Sequence, residues 1–148
     1  MRRTLAILLV VAAGVPATAQ AASPARLRAS LLTRLNHVRI AHHLPVLRLV
    51  ARLNRCAARH TRYLAQIGML THDSRDGTSA ATRIRRAYGA RVIGETLAYG
   101  DSTGWIVSAW LHSAAHRAIL LDPTYRVVGL GAVQDASGTI WATADLGS

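Results

Sequence analysis

The stretch Gly94-Glu95-Thr96-Leu97-Ala98-Tyr99-Gly100 decides how this chain is read. Glu95 is the only glutamate among seven acidic residues. It stands inside an apolar run, Arg91 to Tyr99, that reads as a β-strand. Gly94 beside it marks a bulge or a place where another part of the chain comes close. A lone carboxylate in such a setting needs polar partners from elsewhere. Two stretches offer them: Thr71-His72-Asp73-Ser74 upstream, and Ser113-Ala114-Ala115-His116-Arg117 downstream. The rest of the chain is read as the scaffold that brings His72, Glu95 and His116 together.

Upstream, Ser23-Pro24 is a helix start, with serine as N-cap and proline in the first turn. Leu27, Leu31, Leu32, Leu35, Val38 and Ala41 then recur at helical spacing, until Pro45 forbids continuation. The adjacent His42 and His43 point about 100° apart on a helix, so they do not share an ion; His43 suits a left-handed C-cap position. Leu49 to Ile67 is the clearest helix. Leu49, Leu53, Cys56, Ala57, His60, Tyr63, Leu64 and Ile67 share its apolar face, and Arg48, Arg52, Arg55, Arg59 and Arg62 form a solvated stripe. Cys56 reads as a small buried hydrophobe and His60 as a core histidine with one satisfied nitrogen. Gly68 is its C-cap. Thr78 or Ser79 caps a short helix through Tyr88, stopped by Gly89. Arg83, Arg85 and Arg86 on it add to the basic surface.

Downstream, Asp101 to Gly104 is a loop and cap. Trp105 to about Ser113 is a helix, and Asp122-Pro123-Thr124-Tyr125 is a turn. Arg126–Val133 and Thr139–Leu146 are strands joined by a hairpin loop at 134–138. The tally is four helices and three strands, helices first, which predicts an α+β fold with helices packed on an antiparallel sheet.

The chain has 148 residues, which suits one domain. Residues 1–21 read as a signal peptide: Arg2 and Arg3, an apolar stretch too short to span a bilayer, then Ala19-Gln20-Ala21. An uncleaved anchor or a buried amino-terminal helix is the alternative. Residues 22–148 are then the single domain. Cys56 is the only cysteine, so no internal disulfide forms and no cysteine zinc site exists. All 18 basic residues are arginine, and the formal net charge is +11. For an exported protein this charge points to anionic membrane or envelope surfaces, or only to solubility. No nucleic-acid-binding motif is present, and no nucleic-acid partner is expected.

Taken together, several motifs resemble those of a known family. They are Asn36-x-x-Arg39, Leu44-Pro45-x-Leu47, His60-Thr61, His72-x-x-x-Asp76-Gly77, the Gly94–Gly100 stretch, Trp110-x-x-Ser113-x-x-His116-Arg117 and Val128-Gly129-Leu130-Gly131. In order and spacing the chain is similar to the CAP superfamily (cysteine-rich secretory, antigen-5 and pathogenesis-related-1 proteins, or SCP domains), in its short bacterial form. The resemblance implies a three-layer α-β-α sandwich with a central antiparallel sheet. It also implies a cleft in which His72 and His116 match the two family histidines and Glu95 matches the glutamate of a Gly-Glu-Asn motif. Thr96 stands where the family usually has asparagine, and Ser113 falls near the position of a second glutamate in eukaryotic members.

Three chemistries stay open for the cluster. Two imidazoles and one carboxylate can supply three ligands to zinc or another divalent cation. Without metal, the same groups can serve acid/base hydrolysis of a peptide or cell-wall bond, with Ser74, Ser102 or Ser113 as available hydroxyls. Or the cluster is a hydrogen-bonded network that pins loops together. The resemblance adds extracellular binding of a lipid, sterol-like or cell-wall ligand, with Trp105, Trp110, Tyr88 and Tyr99 able to line an apolar cavity. The expectation is an exported protein, secreted or at the cell envelope, that binds such a ligand in the cleft; an extracellular hydrolase is the rival.

Overall fold

A computed structural model describes residues 21–148 of the protein. The expected signal peptide therefore lies almost wholly outside the described residues. Five helices and four strands follow in the order α1 (Pro24–Ala41), β1 (Arg48–Leu49), α2 (Ala51–Ile67), α3 (Ala80–Tyr88), β2 (Ile93–Gly100), α4 (Thr103–His112), α5 (Ala114–Leu120), β3 (Val127–Gln134) and β4 (Ile140–Gly147).

Local chemistry sets most of these boundaries. The Ser23 side chain accepts from the Arg26 amide at the start of α1, and Ser79 accepts from the Thr82 amide at the start of α3. Gly68 and Gly89 end α2 and α3 in the left-handed region, at φ 64° and 73°. His43 is the one non-glycine residue there among the described residues, at φ 57°. Asn36 holds the turn that follows: its side-chain amide donates to the Leu47 carbonyl at 3.0 Å, and its side-chain oxygen accepts from the Leu47 N–H at 2.8 Å.

Two elements depart from expectation. Arg48 and Leu49 leave the predicted helix and pair in parallel with Val127 and Val128 as β1; α2 begins only at Ala51. Arg48 therefore does not belong to the helical arginine stripe. The region after Ser113 is a separate seven-residue helix, α5, whose start Ser113 caps. The sheet order is β1-β3-β4-β2, antiparallel except for that short parallel edge.

The sheet has helices on both faces. Leu27, Leu31 and Leu35 of α1, Ile106 and Trp110 of α4 and Leu120 of α5 pack on one face, against Val128, Leu130, Ala142 and Ala144. On the other face, Leu53 and Leu64 of α2 and Ile84 of α3 meet Val127, Leu97 and Trp141. Each of these fully buried large apolar side chains contributes roughly 2 kcal/mol. Gly129 and Gly131 alternate with Val128 and Leu130, so they turn toward α2. A Cβ at either would collide with the α2 backbone, at Leu53 or at Ala57. The absence of side chains lets the helix lie directly on the strand.

Arg39 ties the first layer together. It is buried to 1 % exposure and donates to the carbonyls of Pro45 (2.8 Å), Leu120 (2.7 Å), Asp122 (3.1 Å) and Tyr125 (3.1 Å).

Candidate functional site

Glu95 lies on β2, the edge strand, with its side chain on the α2/α3 face and 3 % exposed. Gly94 pairs in register with Leu146, so it forms no bulge. The close approach is real: a Cβ there would lie 2.6 Å from Ile119 Cγ2 and 2.9 Å from the Tyr125 hydroxyl. Gly94 thus lets the α5 side press on the strand at the point where Glu95 projects to the opposite face.

Both carboxylate oxygens of Glu95 are engaged. His72 Nδ1 donates to Oε1 at 2.7 Å, and the Arg83 guanidinium donates to Oε2. His72 comes from the α2–α3 connection and is 57 % exposed at its side chain, so the buried carboxylate presents an accessible imidazole. With Nδ1 donating, Nε2 of His72 is left as the free ring nitrogen. Arg83 also donates to the His72 carbonyl at 3.1 Å and to Ser74 Oγ at 3.2 Å, which fixes the connection against α3.

A second acid stands beside the first. Asp145 pairs directly with Glu95 across β2 and β4, and it is fully buried. Neither of its oxygens has a hydrogen-bond partner of ordinary kind among the described residues. Burial, then the Glu95 carboxylate, pushes the Asp145 carboxyl well above its usual range; burial also raises Glu95, against the pull of Asp145 and Arg83. One proton held by the pair supplies the missing hydrogen bond and leaves a single negative charge for Arg83 to balance. Cys56 lies next to this pair, and burial followed by the charge of Asp145 pushes its thiol up to about 12. It is inert at neutral pH.

His116 is placed differently. It sits in the first turn of α5, where its backbone N–H donates to Ser113 Oγ at 3.4 Å. Its ring makes no hydrogen bond to Glu95 or His72 among the described residues. Partial burial, then the charge of His72, holds it below the ordinary histidine range. The structure therefore joins His72 to Glu95 directly and brings His116 only within electrostatic reach of His72. His116 instead lines a cavity of about 340 Å³ with Leu70, Leu97, Tyr99, Trp105 and Trp110. Trp105 is 51 % exposed and Tyr99 50 %, while Trp110 is wholly buried and belongs to the core beneath them. Tyr88 does not line this cavity.

Arg83 and Asp145 carry as much of the site as the three expected residues, and both have a trace in the sequence. Arg83 falls at helical spacing between Ala80 and Ala87, beside Ile84, on the inward face of α3. Asp145 is a lone acid in an otherwise apolar and small-residue strand, as Glu95 is.

The three-ligand zinc arrangement does not fit these positions. Glu95 has no free oxygen, and Arg83 already supplies the positive charge there. Among the described residues no three of His, Cys, Asp or Glu are grouped to hold a metal ion.

A family model described as the cysteine-rich secretory protein family, CAP, matches residues 32–145. The chain belongs to the CAP family. Solved CAP-like structures align over most of it. An outer surface protein of Borrelia burgdorferi matches with a TM-score of 0.78 at 21 % identity, over 87 % of this chain and 97 % of that one. An extracellular SCP-domain protein of Bacillus anthracis matches at 0.73 and 20 %, over 87 % and 45 %. A cysteine-rich secretory protein of Staphylococcus aureus matches at 0.66 and 18 %, over 84 % and 40 %. The CAP domain here spans less than half the length of the latter two chains. At these identities the likeness is one of fold. No curated protein sequence matches the chain. Within the CAP domain, no helix among the described residues is long and apolar enough to cross a membrane.

Proposed function

We propose that this CAP domain is exported and binds an amphipathic envelope ligand, a lipid or sterol-like molecule, in the cleft beside β2. The observation that carries the reading is the pair of half-exposed aromatic side chains, Tyr99 and Trp105, over a cavity that His116 also lines. Large apolar surface left in water next to a polar group suits a ligand with an apolar body and a polar end. Burying one aromatic ring of this size stabilises a complex by roughly 2 kcal/mol. The surface or extracellular descriptions of the structural relatives, and the amino-terminal segment, support export.

Weighing against hydrolysis, the nearby hydroxyls are occupied: Ser74 accepts from Arg83, and Ser113 caps α5. Neither is hydrogen-bonded to the ring of a site histidine among the described residues, and Glu95 is held on both oxygens, so it is poorly placed as a free base.

The test is titration of the protein with a fluorescent fatty acid. Saturable binding that weakens at least tenfold in Trp105→Ala, with Val46→Ala as an exposed control, supports the reading. Equal binding by both variants sinks it. Turnover of a peptide, ester or cell-wall substrate that disappears in Glu95→Gln would favour the hydrolase instead.

A further inference from the structure

The exposed apolar surface of the aromatic cleft continues beyond the cavity itself. Gly68 ends α2 in the left-handed region, and the chain past it carries Met69 and Leu70, 57 % and 38 % exposed. Leu70 lines the cavity with Tyr99 and Trp105; Met69, next to it in the chain, does not. The two aromatic rings are braced from behind. Tyr99 packs against the Trp141 ring, with centroids 4.9 Å apart. The Trp105 ring lies against Gly100, where a Cβ would strike it. Four large apolar side chains are thus held in water at one rim.

Cations stand at the same end of the molecule. Thr61 of α2 donates to Thr143, and Leu64 packs with Leu97 and Trp141, so α2 ends over the part of the sheet that leads to Gly100. There the exposed Arg75 donates to Gln66 Oε1 at 3.4 Å and stands over the Tyr63 ring, 5.8 Å from its centroid. Arg62, also exposed, lies one helical turn before Gln66. Arg52, Arg55 and Arg59 extend the row along the outer face of α2. Like charges at this spacing repel one another, and α1, α2 and α3 contain no acidic residue to offset them. The only ion pairs among the described residues are the two made by Glu95. Asp73 and Asp76 in the α2–α3 connection and Asp101 before α4 are the acids adjoining these elements, and the five arginines of α2 and the connection outnumber them.

A rim of tryptophan, tyrosine and aliphatic side chains beside unpaired arginines matches the layers of an anionic bilayer. Aromatic rings sit at the level of the head groups, aliphatic tips go below it, and guanidinium groups meet the phosphates. A neutral bilayer leaves the arginines unpaired, and a soluble polyanion leaves the rim in water.

We propose that the mouth of the cleft docks on an anionic phospholipid bilayer, with Met69, Leu70, Tyr99 and Trp105 entering the interface and Arg62 and Arg75 contacting phosphates. The inference rests on the reading of the cleft as a lipid site and adds the source of the ligand. A lipid passes from the bilayer into the cavity without crossing water.

The test is co-sedimentation with vesicles of equimolar phosphatidylglycerol and phosphatidylcholine, against vesicles of phosphatidylcholine alone, with the fold of each variant verified by circular dichroism. The mixed vesicles are expected to bind at least tenfold more tightly, and added salt to weaken that binding. Arg62→Gln/Arg75→Gln is expected to lose at least tenfold, since each arginine near an anionic surface contributes about fivefold. Met69→Asp is expected to lose as much. Arg48→Gln/Arg91→Gln removes the same charge from exposed positions beside Gly147 and Ser148, at the opposite end of the sheet from Gly100, and is expected to bind like the unaltered protein. Equal binding to both vesicles, equal weakening by the two arginine pairs, or full binding by Met69→Asp overturns the docking surface. Titration of Met69→Asp with the fluorescent fatty acid separates docking from ligand binding. Fatty-acid binding kept while vesicle binding is lost supports docking; loss of both overturns it. The expected vesicle pattern in a protein that binds no fatty acid leaves the docking surface standing and ends the ligand reading.

Discussion

Glu95 and Asp145 face each other as direct cross-strand partners on β2 and β4, both buried, with the Arg83 guanidinium on the outer oxygen of Glu95. Two buried carboxyls this close do not both ionise, so the stable form holds one proton and one positive partner. Asp145→Asn preserves the donor that the protonated acid supplies. It is expected to change unfolding free energy by less than about 1 kcal/mol. Arg83→Met strands the remaining charge and is expected to cost about 3 kcal/mol. Urea unfolding of the three proteins distinguishes these outcomes; equal losses in both variants would contradict the shared-proton arrangement.

The same cluster predicts two opposite pH responses. Burial, then the charge of Arg83, lowers His60 from 6.5 to about 4. Between those values the unfolded chain binds a proton that the folded chain refuses. The His60 contribution is therefore intact above 6.5 and is lost as pH falls toward 4, by an amount on the order of 2 kcal/mol. The carboxyl pair is raised, so the folded chain holds its proton more tightly, and its contribution grows as pH falls toward the ordinary carboxylate range. Stability measured from pH 8 to 4.5 should fall for the unaltered protein relative to His60→Gln. It should rise relative to Asp145→Asn.

Arg39 is a structural cation. Its four carbonyl acceptors come from the loop after α1 and from the α5–β3 segment. Arg39→Met removes the donors and leaves buried carbonyls unmatched. A loss of about 3 kcal/mol or more in thermal or urea unfolding is expected, with Arg39→Lys recovering only part because it lacks the planar fork.

Gly129→Ala should be as damaging as a core deletion, although it adds only a methyl group. The added carbon meets the Leu53 backbone, which has no rotamer in which to escape. About 2 kcal/mol of destabilisation is expected. Gly104→Ala is the control, since its added carbon would lie 3.3 Å from the movable end of Arg34. Melting temperatures of the two variants should differ by several degrees.

Chelation offers a direct check on the occupied carboxylate. Because Glu95 already holds His72 and Arg83, incubation with a strong chelator is expected to leave the melting temperature unchanged and to release no stoichiometric zinc. A drop of several degrees, with zinc detected in the purified protein, would mean that Arg83 yields its place to a metal.

Much of the architecture was legible because its signals are local. Ser23, Ser79, Gly68 and Gly89 announce helix ends through bonds and backbone angles that involve only a few neighbouring residues. The short apolar runs Val127–Gln134 and Ile140–Gly147, bounded by turn residues, mark strands for the same reason. The two-residue β1 was not legible, since a parallel pair that short exists only through its partner Val127–Val128. The seven-residue α5 is likewise too short to display a period.

Sequence alone determined where Glu95 stands, that it stands alone in an apolar strand, and that histidines flank it along the chain. Only the tertiary structure decided that Arg83 and Asp145, rather than His116, are its immediate partners beside His72. Cross-strand register and the seating of α3 bring the buried side chains of Arg83, Glu95 and Asp145 together, with the exposed His72 ring on their outer side. Charge sharing and desolvation there depend on distances that no spacing along the chain encodes.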